Sequence, residues 1–351
     1  MDNKPDLVAK TRLIQEKSLK NTLIELFTKW EMLLGIIFVL MVIFFSNLSP
    51  YFLDYFNLMN ASFQFSEKAI MALPMIFIIM CGDIDISIAS IIALVAYSVG
   101  TASSFGLSTV SLILIGLAVG IAAGFVNGLL ITIFDMPPIA VTLATQSIYR
   151  GIAQAALEER AMTSYPERFG FFGQEFIKGT VIPFELVLYI CLAVVMGIIL
   201  HKTKYGRRVY AIGNSKQAAL FSGIKVDRIR IMNFTIMGLF SGIAGILLTS
   251  RILSARSNIA TGWDLEVITL VVLGGVSITG GKGSLYGVVI ASFLVGYLKF
   301  GMGLLKLSGT IMTIVIGSLL IVAVLLPRLL DGYKARRKLL FQQAQASFQN
   351  Q

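Results

Sequence analysis

The side chains able to do chemistry are few and badly placed for catalysis. One histidine, His201, and two cysteines, Cys81 and Cys191, lie far apart, within or at the edge of apolar runs. A single imidazole assembles neither a metal site nor a Ser-His-Asp constellation. Thiols in such surroundings behave as small hydrophobes, and no disulfide framework is readable. The stretch GGKGS at 280–284 invites a phosphate-loop reading, but the glycine expected five residues before Gly281 is Val276, and Lys282 is followed by Gly283 instead of Ser or Thr. No catalytic residue and no metal set is assigned, and any ATP used must be hydrolysed by another chain.

The one acidic motif is GDIDIS at 82–87. Three roles are open to it. It can be a short turn, with Gly82 bending the chain and Asp85 or Ser87 capping the next helix. Asp83, Asp85 and Ser87 can instead position helices or gate a pathway, or the two carboxylates can relay protons.

The elements that must hold these groups are set by composition. Of 351 residues, 56% are hydrophobic and 14% charged, with a mean hydropathy of +0.82, far from the balance of a soluble domain. Crossing a hydrocarbon core of about 30 Å takes roughly 20 apolar residues, and unpaired backbone groups are too costly in lipid for anything but helices here. An all-α integral membrane protein is expected. Spans are read at about 32–48, 66–80, 86–104, 109–134, 138–157, 183–201, 231–251, 265–280, 285–303 and 309–327. The second and eighth are short enough to be interrupted. About ten transmembrane helices put both termini on one side.

Charge distribution agrees with that topology. The formal charge of +10 does not mark a nucleic-acid binder, because 19 of the 29 Lys and Arg fall in 1–31, 202–230 and 328–338. Basic residues flanking spans face the cytoplasm, so a cytoplasmic tail (1–31), a transmembrane domain (32–327) with a cytoplasmic loop at 202–230, and a second cytoplasmic tail (328–351) are expected. The loop at 158–182 then lies outside, together with Arg251 and Arg256. The run after 32 has no cleavage site and should remain as an anchor.

Within the spans, Gly116, Gly120, Gly124 and Gly128 form one helical face, the spacing that lets backbones pack closely, and Gly238 and Gly242 repeat it once. Arg150 and Lys299 lie toward the outer ends, where long side chains snorkel. Asn127, Thr142, Thr145 and Gln146 are polar and could line a wet pathway, although interhelical hydrogen bonding explains each as well. Transport is the class left by exclusion. A stand-alone ion-coupled carrier using Asp83 or Asp85 and a permease worked by a separate ATPase both remain open.

The island RRVYAIGNSKQAALFSGIKVDRIR at 207–230 bears on that choice. Asn214 or Ser215 can cap a helix through KQAALF, and Gly223 supplies a left-handed stop. Two turns are marginal alone. Anionic lipid or a protein groove must hold them, and the apolar cluster Ala218, Ala219, Leu220 and Phe221 favours a groove.

The stretch YGRRVYAIGNSKQAALFSGIKVDRIRI resembles the cytoplasmic signature of permease subunits of ribose-type bacterial sugar ABC importers. GDIDIS, GFVNGLLITIFDMPPIAVTLATQSIYRG and TGWDLEVITLVVLGGVSITGGKGSLYG resemble further family segments in the same order, over roughly 66–327. Local departures are Ile212 and Asp83, where Gly and Ile are usual, and Ala144 for a common Gly. The resemblance implies a multi-pass protein of the bacterial cytoplasmic (inner) membrane, paired with a second copy or a sister permease. ATP-binding subunits that bind ATP-Mg sit below, and a periplasmic or lipid-anchored sugar-binding protein delivers cargo. Substrates of similar permeases include ribose, rhamnose and autoinducer-2. It also implies that Asn214, Ser215, Lys216, Gln217, Ala218, Ala219, Leu220, Phe221, Ser222 and Gly223 form the coupling helix, with Phe221 and Leu220 as anchors and Lys216 at the rim. No cofactor is expected in this chain, and membrane lipid is its surrounding partner.

Overall fold

Long uncharged runs leave helices as the way to pair backbone groups, and the computed structural model, which describes residues 30–158, 160–322 and 325, is built from them. In chain order they are α1 (Trp30–Leu48), α2 (Tyr55–Met80), α3 (Ile88–Ser104), α4 (Thr109–Ile133), α5 (Pro138–Leu157), the short α6 (Phe171–Gln174), α7 (Phe184–Lys202), α8 (Lys204–Asn214), α9 (Lys216–Phe221), α10 (Val226–Ile252), α11 (Trp263–Leu273), α12 (Leu285–Leu304) and α13 (Gly309–Val322). Six of them, α1, α2, α4, α7, α10 and α12, are long and apolar enough to cross a membrane on their own. The tail from 328 lies outside the described residues, as do 1–29 of the N-terminal tail; Trp30 and Glu31 already belong to α1.

α2 is the central post. Its second half, from Ala69 to Met80, is buried throughout. The expected span at 66–80 is therefore too short, because the helix starts at Tyr55, where the Asp54 side chain accepts from Asn57 N. Hydropathy misses the first half because Asn57, Asn60 and Gln64 interrupt the apolar run. The expected span at 265–280 is too long: α11 stops at Leu273, and Gly275, Gly280 and Gly281 at positive φ turn the chain back as a loop.

The most extensive helix pair is α4 with α10, and glycine is why it can form. A Cβ on Gly120 would sit 2.5 Å from the Gly238 carbonyl oxygen and 2.9 Å from Gly242 Cα, and one on Gly124 would sit 2.8 Å from Gly238 Cα. The obstacle in each case is backbone, which cannot step aside. The four-residue glycine repeat is thus the contact line itself.

Loops gather at two ends of the bundle. At one end Gly281 N donates to Met80 O at 3.0 Å, and Lys216 lies 3.9 Å from Asp135, joining the loops around residues 81–87, 134–137, 203–225 and 274–284. At the other, Met162 and Ala255 form a β-bridge and Gly173 N donates to Ser250 Oγ at 2.9 Å.

Charges expected to snorkel are instead paired inside. Arg150 donates to Ser257 O at 2.8 Å, Ile259 O at 2.7 Å and Ala89 O at 3.0 Å. Glu266 accepts from both Lys68 and Lys299 at 2.7 Å, and Lys68 also sits 4.6 Å above the Trp263 ring. Arg251 reaches Glu67 at 2.7 Å, and Glu185 is buried beside them without a hydrogen-bond partner. A charge in an apolar bundle is tolerated when its partner is close.

The seam makes a sharp prediction. Gly120→Val should cost about 3 kcal/mol or more in unfolding experiments in detergent, whereas Gly151→Ala, with nothing within 4 Å of the added carbon, should stay within about 1 kcal/mol of the parent.

Candidate functional site

The polar island folds as two short helices braced against the bundle. Thr203 caps α8 by accepting from Gly206 N, and α8 turns Gly206, Val209 and Ile212 inward while Arg207 and Arg208 face out. Two phenols fix it in place. Tyr205 donates to Asn233 Oδ1 of α10 at 2.6 Å, and Tyr210 donates to Gly283 O at 2.8 Å. Burial lifts the Tyr210 hydroxyl above its usual range, which keeps it a donor. Asn233 spends its amide on Phe77 O and Cys81 Sγ at 3.4 Å each. Gly213 is packed so tightly against Met80 O and Gly281 that no side chain fits.

α9 follows directly. Ser215 is the cap, accepting from Ala218 N at 3.2 Å, while Asn214 closes the preceding helix by donating to Tyr210 O at 3.0 Å. Gly223, at φ +76, and the Ile224 N to Ala219 O bond of 3.1 Å end it in a Schellman-type turn. Ala219 is the residue of the apolar cluster that turns inward, against expectation. Lys216, Gln217, Ala218 and Ser222 are exposed. Leu220 is 49% and Phe221 93% exposed. Phe221 thus presents its ring outward from a braced helix.

Just past α9, Arg230 in the second turn of α10 donates to both oxygens of Asp83, from Nε at 2.8 Å and Nη2 at 3.0 Å, with both side chains buried. This bidentate pair ties the acidic motif to the base of α10. Sequence reasoning counted Arg230 only among the basic loop residues. Its spacing one turn from the apolar Val226, which is buried, was the available signal that it points inward.

The rest of the acidic motif is also interior. Gly82 turns at φ +82, Asp85 and Ser87 are fully buried, and Asp85 Oδ1 accepts from Ser87 N at 2.8 Å and Ser87 Oγ at 2.6 Å. Ser87 occupies the cap position of α3 but makes no side-chain cap bond, because its hydroxyl accepts from Asn127 Nδ2 at 2.7 Å. Tyr149 then donates to Ala123 O at 3.1 Å and approaches Asn127 Oδ1 at 3.5 Å. The chain Asp85–Ser87–Asn127–Tyr149 therefore joins the α2–α3 turn to α4 and α5.

Of the four polar residues read as candidates for a pathway, three are buried. Asn127 belongs to that chain, Thr142 donates to Pro138 O at 2.9 Å, and Thr145 to Thr142 O at 3.3 Å. Gln146 is half-buried and borders an open side of α5 where Leu143, Ala144, Ser147 and Gln154 are exposed.

A bundle with six helices long and apolar enough to cross a membrane, and a braced, exposed helical pair at one end, fits a membrane-embedded protein. The chain matches the family model described as branched-chain amino acid transport system / permease component over residues 57–324. It is 37% identical over 291 residues to the ribose import permease protein RbsC of Bacillus subtilis (strain 168), covering 82% of this chain and 90% of that protein. It is 34% identical over 301 residues to the autoinducer 2 import system permease protein LsrD of Escherichia coli (strain K12), covering 84% and 91%. No solved structure matches. The chain belongs to this permease family, as a membrane-embedded import subunit without an ATPase site of its own.

The Asp83–Arg230 pair is testable by a double-mutant cycle. Asp83→Leu or Arg230→Met alone should cost about 3–5 kcal/mol by stranding a buried charge, while the double variant should recover most of that loss. Additive losses in unfolding measurements would mean the two charges do not support each other.

Proposed function

We propose that the protein forms the translocation pathway of an ATP-driven importer for a monosaccharide or similar small polyol-like molecule, with ten crossings and both termini in the cytoplasm. Residues 214–223 are its coupling helix. The observation that carries this reading is Phe221, which stands in water on a short helix fixed at both ends by Tyr205, Tyr210 and the Asp83–Arg230 pair.

A helix that merely lay on lipid would need no such mount. In the proposed complex Phe221 and Leu220 enter a cleft of the ATP-binding subunit and Lys216 stays at the rim, the usual division between interface core and edge. A second copy or a sister permease completes the pathway, and an extracytoplasmic sugar-binding protein delivers cargo. The positive-inside pattern supports a cytoplasmic position for α8 and α9, which carry Lys204, Arg207, Arg208 and Lys216.

A hydroxylated, uncharged cargo suits the open side of α5. Gln146, Ser147 and Gln154 offer neutral hydrogen-bonding groups there, and Arg150 spends its guanidinium on loop carbonyls. An exposed row of this kind is poorly suited to hydrocarbon. The cargo names of the two relatives, ribose and autoinducer 2, point the same way. Asp83, with both oxygens held by Arg230, is poorly placed to exchange ions, which leaves Asp85, with one oxygen unpartnered, as the carboxylate an ion-coupled carrier would use.

Phe221→Asp should leave membrane insertion and thermal stability unchanged while weakening capture of the ATP-binding subunit about thirtyfold, as loss of an interface anchor does. Lys216→Ala should weaken it only slightly. Unchanged capture by the Phe221→Asp protein would remove the coupling role from α9.

A further inference from the structure

Charge and hydrogen bonding do not close in the buried cluster between α2, α7 and α10. Glu67 of α2 and Glu185, in the first turn of α7, are both fully buried. Arg251, in the last turn of α10, donates from Nε to Glu67 Oε1 at 2.7 Å. Glu67 Oε2 and both oxygens of Glu185 meet no hydrogen-bond donor among the described residues. Two interior carboxyl groups therefore share a single guanidinium, and it reaches only one of them.

The surroundings do not make up the difference. Glu67 and Arg251 are the charges that face Glu185. Lys68, which also faces Glu67, has its ammonium on Glu266 at 2.7 Å and over the Trp263 ring. α6 closes the cluster from a fourth side. Its Phe171 and Phe172 pack on Phe184 with ring centroids 5.4 and 5.7 Å apart, and a Cβ on its Gly173 would sit 2.4 Å from Arg251 N. An ionised carboxylate is very costly to bury without a partner, and two carboxylates that share one site do not both keep their charge.

We propose that Glu67 and Glu185 form a proton-binding site, in which Glu185 is a carboxylic acid whose O–H donates to Glu67 Oε2 and Glu67 is the carboxylate opposite Arg251. The bound proton leaves one carboxylate for one guanidinium. It supplies a donor to Glu67 Oε2, and it ties α7 to α2 and α10 through a side chain that would otherwise repel Glu67. The site lies at the end of α10 opposite Arg230, so it holds the far end of the bundle. It rests neither on the cargo nor on the coupling role of α9.

The test is infrared spectroscopy of the full chain reconstituted in lipid bilayers. Subtracting the spectrum of Glu185→Gln from that of the parent should leave the C=O stretch of a single protonated carboxyl group, displaced in heavy water. The variant keeps a donor toward Glu67 and should unfold at the parent's temperature. Glu67→Gln should lose the same band, because Glu185 then gives up its proton to become the counter-ion of Arg251. An unchanged carboxylic acid signal in Glu185→Gln would mean that Glu185 is ionised and would overturn the proposal. Failure of Glu185→Gln to fold would overturn it too, by showing that the bundle needs the charge. Survival of the band in Glu67→Gln would do the same, since Glu185 would then hold its proton without Glu67.

Discussion

Backbone contact between α4 and α10 is the constraint on which the rest of the arrangement depends. With Gly120 and Gly124 against Gly238 and Gly242, the two helices approach more closely than any side chain allows. Lipid supplies no hydrophobic force to hold helices together, so close packing and interior hydrogen bonds must do so. The seam fixes α10 along most of its length. Its two ends then carry the useful chemistry: Arg230 and Asn233 at the end reached from α9, Ser250 and Arg251 at the other.

That geometry gives the six-residue helix α9 the stiffness that the proposed coupling role requires. α9 has no core of its own, and a helix of two turns is marginal in isolation. It is stiff because α8 before it and α10 after it are both anchored in the bundle, through Tyr205 to Asn233 and through Arg230 to Asp83. In the proposed complex a push on Phe221 would be delivered to α10, to the turn after α2 and, across the glycine seam, to α4. From α4 the buried chain Asn127–Tyr149 reaches α5. Such a push changes the transport state only if the ATP-bound partner binds one packing of these helices better than the other. Tightly packed interfaces of this sort switch between discrete arrangements instead of deforming smoothly.

Much of this was legible in the residues themselves. The glycine spacing in α4, the Ser215 cap, the Gly223 stop and the exposed Phe221 are local patterns, and local patterns survive in a linear string. What sequence hid is long-range. Glu67, Lys68, Glu185, Arg251, Glu266 and Lys299 look like stray charges at span ends until α2, α7, α10, α11 and α12 bring them together. Asn57, Asn60 and Gln64 broke the hydropathy of α2 and made the helix seem shorter than it is. Asn127, Thr142 and Thr145 show the complementary difficulty: a buried hydrogen bond, between helices for Asn127 and within α5 for the two threonines, and a wall of a wet pathway call for the same residue types. Only the partners tell them apart.

The central claim is that this bundle has no motor and is driven through α9 from the cytoplasmic side. Uptake of labelled sugar into proteoliposomes tests it most directly, with this chain, its pairing permease, the ATP-binding subunits and the binding protein present together. Accumulation that requires ATP and every one of those subunits, and that is indifferent to proton and sodium gradients, is the result predicted. Accumulation by this chain alone in response to an ion gradient would contradict the account.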